Sequence, residues 1–430
     1  MNSTDFITFS LQIAAMLAVA LILGQVMRRL RQPAVLGEMI GGILLGPTIL
    51  GMVAPGAYAW LFDSSPTVDA VRDASIKLGM LFFLFIAGLE VDLSDLRRMG
   101  KRAAVIGLVG TLLPIALGVG LVYAIPRDFW GPVVQEHFLS FALFIGMNLA
   151  NSANPVIARI LMDLGLLKSE IGATIMTATI VDDLVNWTLF AIILSDIAPS
   201  GSAEATSLTM SILLVLAFFA VVLGVGRWMA PFGVRLARRF LSWPTGLIGS
   251  TTVMILLCAA VAEKLGIHAF LGAFLVGAVL SGGDAADRQS AHDIVYKFAL
   301  SYFAPVYFVS MGLNANFITS FDPALVALIL AAALVSKLAG VLLGAWMARM
   351  PITRETAAIA VGLNARGATG IILAGVGLSN GVIDERIFVA VMVMCLVTSL
   401  IAGPGMSALL KNNRAHKTRT GAQEGARQPT

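Results

Sequence analysis

The chain has 430 residues, 58% of them hydrophobic and only 13% charged, with a formal net charge of +4. Soluble domains run at about 45–50% apolar and about 25% charged residues, so this composition excludes a soluble enzyme or binding module and defines an integral membrane protein. The modest positive charge is spread over short loops, which excludes a nucleic-acid-binding face. The two cysteines, Cys258 and Cys395, stand in apolar runs without metal-ligand or disulfide spacing and read as core residues.

Apolar stretches able to cross about 30 Å of hydrocarbon follow one another along the chain. The first, 6–27, lacks a basic leader and a small-residue cleavage site and reads as a retained span. Spans two to four fall at 34–53, 74–90 and 103–125. Span five, 138–161, contains "MNLANSANPVIARI", in which Asn148, Asn151, Ser152, Asn154 and Pro155 interrupt the apolar run. Proline removes a backbone donor and restrains the residue before it. A break at membrane depth survives only where it is buried in protein or lines a water-filled cavity. A simple proline kink is the plainer reading, but it does not account for three neighbouring asparagines, whose amides can satisfy freed backbone groups or hydrate an ion.

Span six, 170–195, holds "TATIVDDLVNWTLFAIIL", with Asp182 and Asp183 side by side at mid-membrane. Spans seven to ten fall at 206–228, 245–263, 266–282 and 294–312. Span eleven, 323–348, carries Lys337 deep inside it, and span twelve, 355–379, is interrupted in "VGLNARGATGIILAGVGLSNG" by Gly362, Asn364, Arg366, Gly367 and Gly370. Span thirteen covers 386–410, and the polar tail 411–430 is expected to be disordered. Glu38, Glu90, Asp92, Glu263 and His268 stand near predicted helix ends, where capping or interfacial solvation explains them. Asp163 and Lys168 read as solvated loop residues.

Alternate loops differ in charge. One set holds Arg28, Arg29 and Arg31; Arg97, Arg98, Lys101 and Arg102; Lys168; Arg235, Arg238 and Arg239; Arg288; Arg349 and Arg354; and the tail from Lys411. The other holds Arg72, Arg127, Lys264 and Arg386. The positive-inside rule therefore places the N-terminus outside and the C-terminus in the cytoplasm of an inner or plasma membrane.

The two interrupted spans are seven crossings apart. An odd offset inverts topology, so spans one to six and eight to thirteen are expected to be inverted repeats joined by span seven, with spans five and twelve as two discontinuous, crossing helices. Paired broken segments of this kind point to the midplane site of a secondary transporter. Lys337 is about fourteen residues from either end of its span, and the aspartates are about twelve from theirs, so all three lie near one depth. A lysine and a carboxylate at one depth are candidates to pair, which offsets much of the cost of burying either. Neighbouring helical residues point about 100° apart, so one aspartate can hold the lysine while the other faces an ion path. Two close carboxylates resist simultaneous ionisation, which an ammonium or a bound cation relieves. That chemistry suits competition between a proton and a small cation. The alternative is a buried ion triad that only fixes packing. Arg366 is too deep to reach either interface and is expected to tether the unwound segments or meet an acid.

Several stretches carry a resemblance: "QPAVLGEMIGGILLGPTILG", "LGMLFFLFIAGLEVDLSDL", "NPVIARILMDLGLLKSEIGATIMTATIVDDLVNW", "LGIHAFLGAFLVGAVLSG", "FAPVYFVSMGLNANF" and "LNARGATGIILAGVGLSNGVI". Together they resemble the monovalent cation:proton antiporters, in particular the second branch of bacterial sodium/proton and potassium/proton exchangers. The resemblance implies a homodimer. It makes 1–102 (spans one to three) and 245–322 (spans eight to ten) a dimerisation panel, and 198–244 (span seven) a linker. Segments 103–197 (spans four to six) and 323–410 (spans eleven to thirteen) become a core that moves past the panel elevator fashion. Asp183 resembles the family's ion- and proton-binding aspartate, Asp182 its neighbour, Lys337 the buried lysine that pairs with that neighbour, and Arg366 the arginine of the Asn-Ala-Arg-Gly segment. Where family members often have Thr-Ala before the proline of span five, this chain has "NSANP", with Ser152 and Asn154. An Asp-Asp pair with a buried lysine goes with electrogenic exchange of more than one proton per cation. The glutathione-gated systems append a nucleotide-binding regulatory domain; the chain ends about twenty residues after span thirteen, so none is expected in cis.

The expectation is a sodium/proton antiporter of the membrane, with no cofactor beyond the transported ion and with Asp183 as that ion's ligand. Asp182 and Lys337 act beside it, and Asn151, Ser152, Asn154, Pro155, Asn364 and Arg366 support the unwound helices. The alternatives are a potassium/proton exchanger, a channel-like or sensory membrane subunit without coupled exchange, or an exporter of organic cations. No nucleophile–base set, phosphate loop or metal cluster suggests an enzyme.

Overall fold

A computed structural model describes residues 2–30, 32, 34–63, 65–90, 100–131, 137–167, 169–197, 213–214, 217–226, 240, 245–265, 269–281, 297–313 and 315–425. Every regular element among them is helical. In chain order these are α1 (Ser3–Arg29), α2 (Ala34–Leu45), α3 (Leu50–Val53), α4 (Pro55–Phe62), α5 (Pro66–Glu90), α6 (Lys101–Ala124), α7 (Arg127–Trp130), α8 (Phe138–Ala150) and α9 (Asn154–Asp163). There follow α10 (Glu170–Ile197), α11 (Ala217–Gly226), α12 (Thr245–Lys264) and α13 (Ala269–Ser281). A π-helical turn (Ala299–Phe303) leads into α14 (Ala304–Leu313), and then come α15 (Pro323–Met347), α16 (Arg354–Gly362), α17 (Gly367–Ser379) and α18 (Glu385–Gly425).

Six described helices are long and apolar enough to cross a membrane, starting at Ser3, Ala34, Lys101, Glu170, Pro323 and Glu385. The expected spans 74–90 and 245–263 lie within α5 and α12, and those at 138–161, 266–282, 294–312 and 355–379 are represented by shorter or divided helices. Most of the expected linker 198–244, with Arg235, Arg238 and Arg239, lies outside the described residues, as do Arg31, Asp92, Arg97, Arg98, Lys168, His268 and Arg288. The expected disordered tail instead continues α18 as helix through Gly425. Extending an existing helix needs no new nucleus, and the tail's Lys, Arg, Ala, Gln and Glu residues favour it.

Local chemistry sets the helix ends. Asn2 and Asp5 form a reciprocal capping box at α1, with the Asp5 amide donating to Asn2 Oδ1 at 2.8 Å and the Asn2 amide to Asp5 Oδ2 at 3.1 Å. Asp322 Oδ1 accepts from the Ala324 and Leu325 amides at 3.0 and 3.1 Å to start α15, with Pro323 in the first turn. Glu263 Oε2 takes the Ala269 amide at 2.8 Å, the capping role expected of it.

The chain divides into two compact units, Met1–Arg97 with Trp187–Phe321, and Arg98–Asn186 with Asp322–Thr430. In the first, α2 packs on α14 and α5 on α13, each through facing glycines. A Cβ on Gly42 would stand 2.0 Å from the Val309 carbonyl oxygen, and one on Gly312 2.4 Å from the Ile43 nitrogen. Likewise a Cβ on Gly88 would stand 2.0 Å from the Phe274 carbonyl oxygen and one on Gly277 2.0 Å from that of Phe85. In lipid, where no hydrophobic force drives helices together, such backbone approach is what holds them.

The second unit is built on α6 and α15, which pack along Gly110, Gly340 and Gly344. Helix α8 lies against both, and α18 lies against α15, α16 and α17. Its apolar core includes Ile106, Val156, Ile157, Ile175, Val341 and Ile359. This unit contains both broken helices, α8–α9 and α16–α17.

Candidate functional site

The breaks fall where the sequence predicts them. Helix α8 stops at Ala150, residues 151–153 are not helical, and α9 begins at Asn154 with Pro155 in its first turn. Helix α16 stops at Gly362, and α17 begins at Gly367, whose φ of +31° is one that glycine tolerates best. The two breaks are joined to each other. The Ala153 amide donates to the Ala365 carbonyl at 2.7 Å, and Ser152 Oγ donates to the Leu363 carbonyl at 2.7 Å.

An interrupted helix leaves its last four carbonyls without intrahelical partners. For α8 the Met147 carbonyl takes the last intrahelical bond, from the Asn151 amide at 2.9 Å, and three of the freed carbonyls are met from outside the helix. That of Asn148 accepts Arg366 Nε at 3.3 Å, that of Leu149 accepts Arg366 Nη2, and that of Ala150 accepts Lys337 Nζ. Two cations thus sit at the negative end of the half-helix dipole, where positive charge is favoured. Arg366, 0% exposed, also donates through Nη1 to the Asn364 carbonyl (3.1 Å) and side-chain oxygen (2.6 Å), and through Nη2 to the Ala333 carbonyl (2.9 Å). Its five N–H groups therefore meet five acceptors on α8, the second break and α15. Of the two roles expected for Arg366, the structure has the tether.

Of the two uses expected for the asparagine amides, satisfying freed backbone groups or hydrating an ion, Asn148 and Asn151 do not make the first. Asn148 Nδ2 bonds its own helix at the Phe144 carbonyl, 2.9 Å away. The Asn151 side chain, fully buried, has no hydrogen-bond partner among the described residues. The freed carbonyls gather cations instead, because an ammonium or guanidinium matches the helix-end charge better than a neutral amide.

The carboxylates take separate partners, as their angular separation on α10 requires. Asp182, 1% exposed, has Oδ2 at 3.2 Å from Lys337 Nζ and Oδ1 at 2.6 Å from the Thr111 hydroxyl of α6. The expected lysine–aspartate pairing is thus present. Asp183, 6% exposed, accepts from Asn154 Nδ2 at 2.6 Å. Asn154 Oδ1 in turn accepts from the Thr179 hydroxyl, one turn before Asp183 on the same helix. Two formal negative charges and two formal positive ones, Lys337 and Arg366, are thereby buried in one unit. Among the described residues no three His, Cys, Asp or Glu side chains cluster as a metal site.

Thr111, Thr179 and Ser399, whose Oγ accepts the Gly367 amide at 2.9 Å, are site residues the sequence does not single out. A lone hydroxyl in an apolar helix carries no signature. Only for Thr179 is there a usable signal, its four-residue spacing to Asp183 on one helical face.

Two broken helices thus meet beside a buried ion pair in an all-helical membrane protein. The family model for "Sodium/hydrogen exchanger, transmembrane" matches residues 15–412, and the chain belongs to this family, in the branch its sequence resembles. It is 34% identical over 413 residues to cation/H(+) antiporter 18 of Arabidopsis thaliana, a match covering 95% of this chain and 49% of that one. The chain spans about half the length of the Arabidopsis relatives it matches. It is 30% identical to the Na(+)/H(+) antiporter NhaS4 of Synechocystis sp., covering 94% of this chain and 97% of the relative. Its fold is similar to that of the sodium proton antiporter MjNhaP1 of Methanocaldococcus jannaschii, with a TM-score of 0.65 at 14% identity over 94% of this chain and 99% of that one.

Proposed function

We propose that the chain exchanges protons for a monovalent cation, Na+ foremost, with both ions competing for Asp183. The observation that carries this reading is the division of partners: Lys337 sits on Asp182, while Asp183 is buried against the neutral amide of Asn154. A buried carboxylate can take up a proton or a small cation, but not both at once. Loading one ion therefore expels the other, and a site opened to each side in turn couples their fluxes. Asp182 and Lys337 carry a second proton in this reading, so more than one proton moves per cation and transport responds to membrane potential.

The proposed architecture has thirteen spans, the N-terminus outside, the C-terminus in the cytoplasm, and inverted repeats offset by seven. The glycine contacts support the repeat. Under that offset α2 corresponds to α13 and α14 to α5, so the α2–α14 contact maps onto α13–α5, and both are backbone-close. We assign the first compact unit to a homodimerising panel and the second, which holds the whole charge cluster, to the moving core. The division of the chain near 97, 186 and 321 supports that assignment.

The test uses proteoliposomes with an imposed pH gradient and Na+, Li+ or K+ added in turn. Asp183→Asn should abolish cation-driven proton movement in a protein that still folds, and retained exchange would refute the role of Asp183. Response to K+ alone would favour the potassium/proton reading. Proton flux without added cation would indicate a channel-like subunit.

A further inference from the structure

Helix α10 carries a polar stripe that continues past the two aspartates. Taking about 100° per residue, Asn186 projects about 40° from Asp182 and about 60° from Asp183, and Thr179 falls between the same two directions. Thr179, Asp182, Asp183 and Asn186 thus form one line along two turns of the helix, every member buried, with Thr179 at 0% and Asn186 at 1% exposure. The first three have partners: Thr179 holds Asn154, Asp182 holds Lys337 and Thr111, and Asp183 holds Asn154. Asn186 differs, because neither its Oδ1 nor its Nδ2 has a hydrogen-bond partner among the described residues. A buried amide left unsatisfied is costly, and a helix that needed only to pack would carry a small apolar residue there.

We propose that Asn186 is a specificity-determining ligand of the transported cation, its amide oxygen joining the Asp183 carboxylate around a partly dehydrated monovalent ion. Side chains three residues apart have Cβ atoms about 5–6 Å from each other, a gap that one ion or one water fills. Alkali cations take oxygen ligands, and an amide oxygen replaces a lost water without adding charge that a returning proton would also have to neutralise. The carboxylate thus supplies the competition with protons, and the neutral amide discriminates between cations by how closely it lets them approach. This inference rests on the exchange reading above.

The experiment compares wild type, Asn186→Ala and Asn186→Ser in proteoliposomes, measuring KM and kcat for Na+ and K+. In parallel, thermal stabilisation of the detergent-solubilised proteins is measured in NaCl against choline chloride at constant ionic strength. Loss of one ion ligand should raise the Na+ KM of Asn186→Ala about tenfold with kcat within about twofold, change the Na+:K+ preference, and shrink the Na+-dependent stabilisation, with Asn186→Ser intermediate. A monodisperse Asn186→Ala with unchanged KM, preference and stabilisation would overturn the proposal, as would a fall in kcat alone. Should Asn186→Ala fail to fold, Asn186→Ser is held to the same criteria. If wild type is stabilised by Na+ but exchanges nothing, the transport reading falls, while the stabilisation series still decides the role of Asn186. A wild type that does neither overturns both.

Discussion

Replacing Arg366 by lysine isolates what a guanidinium does at the crossing, because the charge stays and the fork is lost. Arg366 meets five acceptors: the carbonyls of Asn148, Leu149, Ala333 and Asn364, and the Asn364 side-chain oxygen. A lysine ammonium has three N–H groups on one atom, so at least two buried acceptors lose their donor. At about 1–3 kcal/mol for each stranded group the cost is about 2–6 kcal/mol, a large share of a typical folding free energy of about 5–15 kcal/mol. The assay is thermal unfolding of Arg366→Lys in detergent beside Arg354→Lys, whose side chain is exposed at the start of α16. Arg366→Lys should unfold roughly 5–20 °C below wild type, scaling from about 2–4 °C per kcal/mol in mid-sized domains, and Arg354→Lys should be unchanged. A melting point for Arg366→Lys within about two degrees of wild type would refute the claim that this hydrogen-bond set holds the breaks together.

Gly88→Ala should lower the yield of folded protein and destabilise it by about 1–3 kcal/mol, since the new methyl would stand 2.0 Å from the Phe274 carbonyl oxygen. Gly56→Ala, with nothing within 4 Å, should be silent in the same unfolding assay. If one proton competes with one cation at Asp183, the apparent KM for Na+ should rise as pH falls, approaching about tenfold per pH unit on the acid side; a KM independent of pH would contradict competition. Lys337→Arg should fold, because a guanidinium can still reach Asp182 and the Ala150 carbonyl. Its exchange should lose the response to membrane potential, because arginine does not release a proton, and an unchanged response would remove Lys337 from proton transfer.

Much of this arrangement was legible because charge is rare in the spans. Asp182, Asp183, Lys337 and Arg366 stand out against apolar runs, and equal depth in two spans was enough to suggest that Lys337 pairs with one of the aspartates; the family resemblance pointed to Asp182, whose contact is seen at 3.2 Å. The breaks were legible too, since Pro155 and Gly367 sit where each chain turns. The partners of the broken backbone were not. Pairing of Ala153 with Ala365 depends on two peptide groups whose side chains say nothing about it. The capping of α8 by Arg366 and Lys337 depends on tertiary approach from α15 and from the second break. Thr111 was invisible for the same reason, as its hydroxyl matters only because α6 brings it to Asp182.

The three freed carbonyls at the end of α8, those of Asn148, Leu149 and Ala150, divide the two buried cations by kind. Arg366 takes two of them and keeps its charge under all conditions, so its part of the joint between the breaks is permanent. Lys337 takes the last one, at Ala150, and shares the same nitrogen with Asp182. An amine that has given up a proton still has two N–H donors, enough for both of those acceptors. In the proposed exchange Lys337 can therefore change charge without releasing the half-helix, and a proton can pass through this pair while the scaffold around Asp183 stays closed. A lysine at position 366 or an arginine at 337 would each break that division in a different way. The first weakens the joint, and the second fixes the charge that the cycle needs to vary.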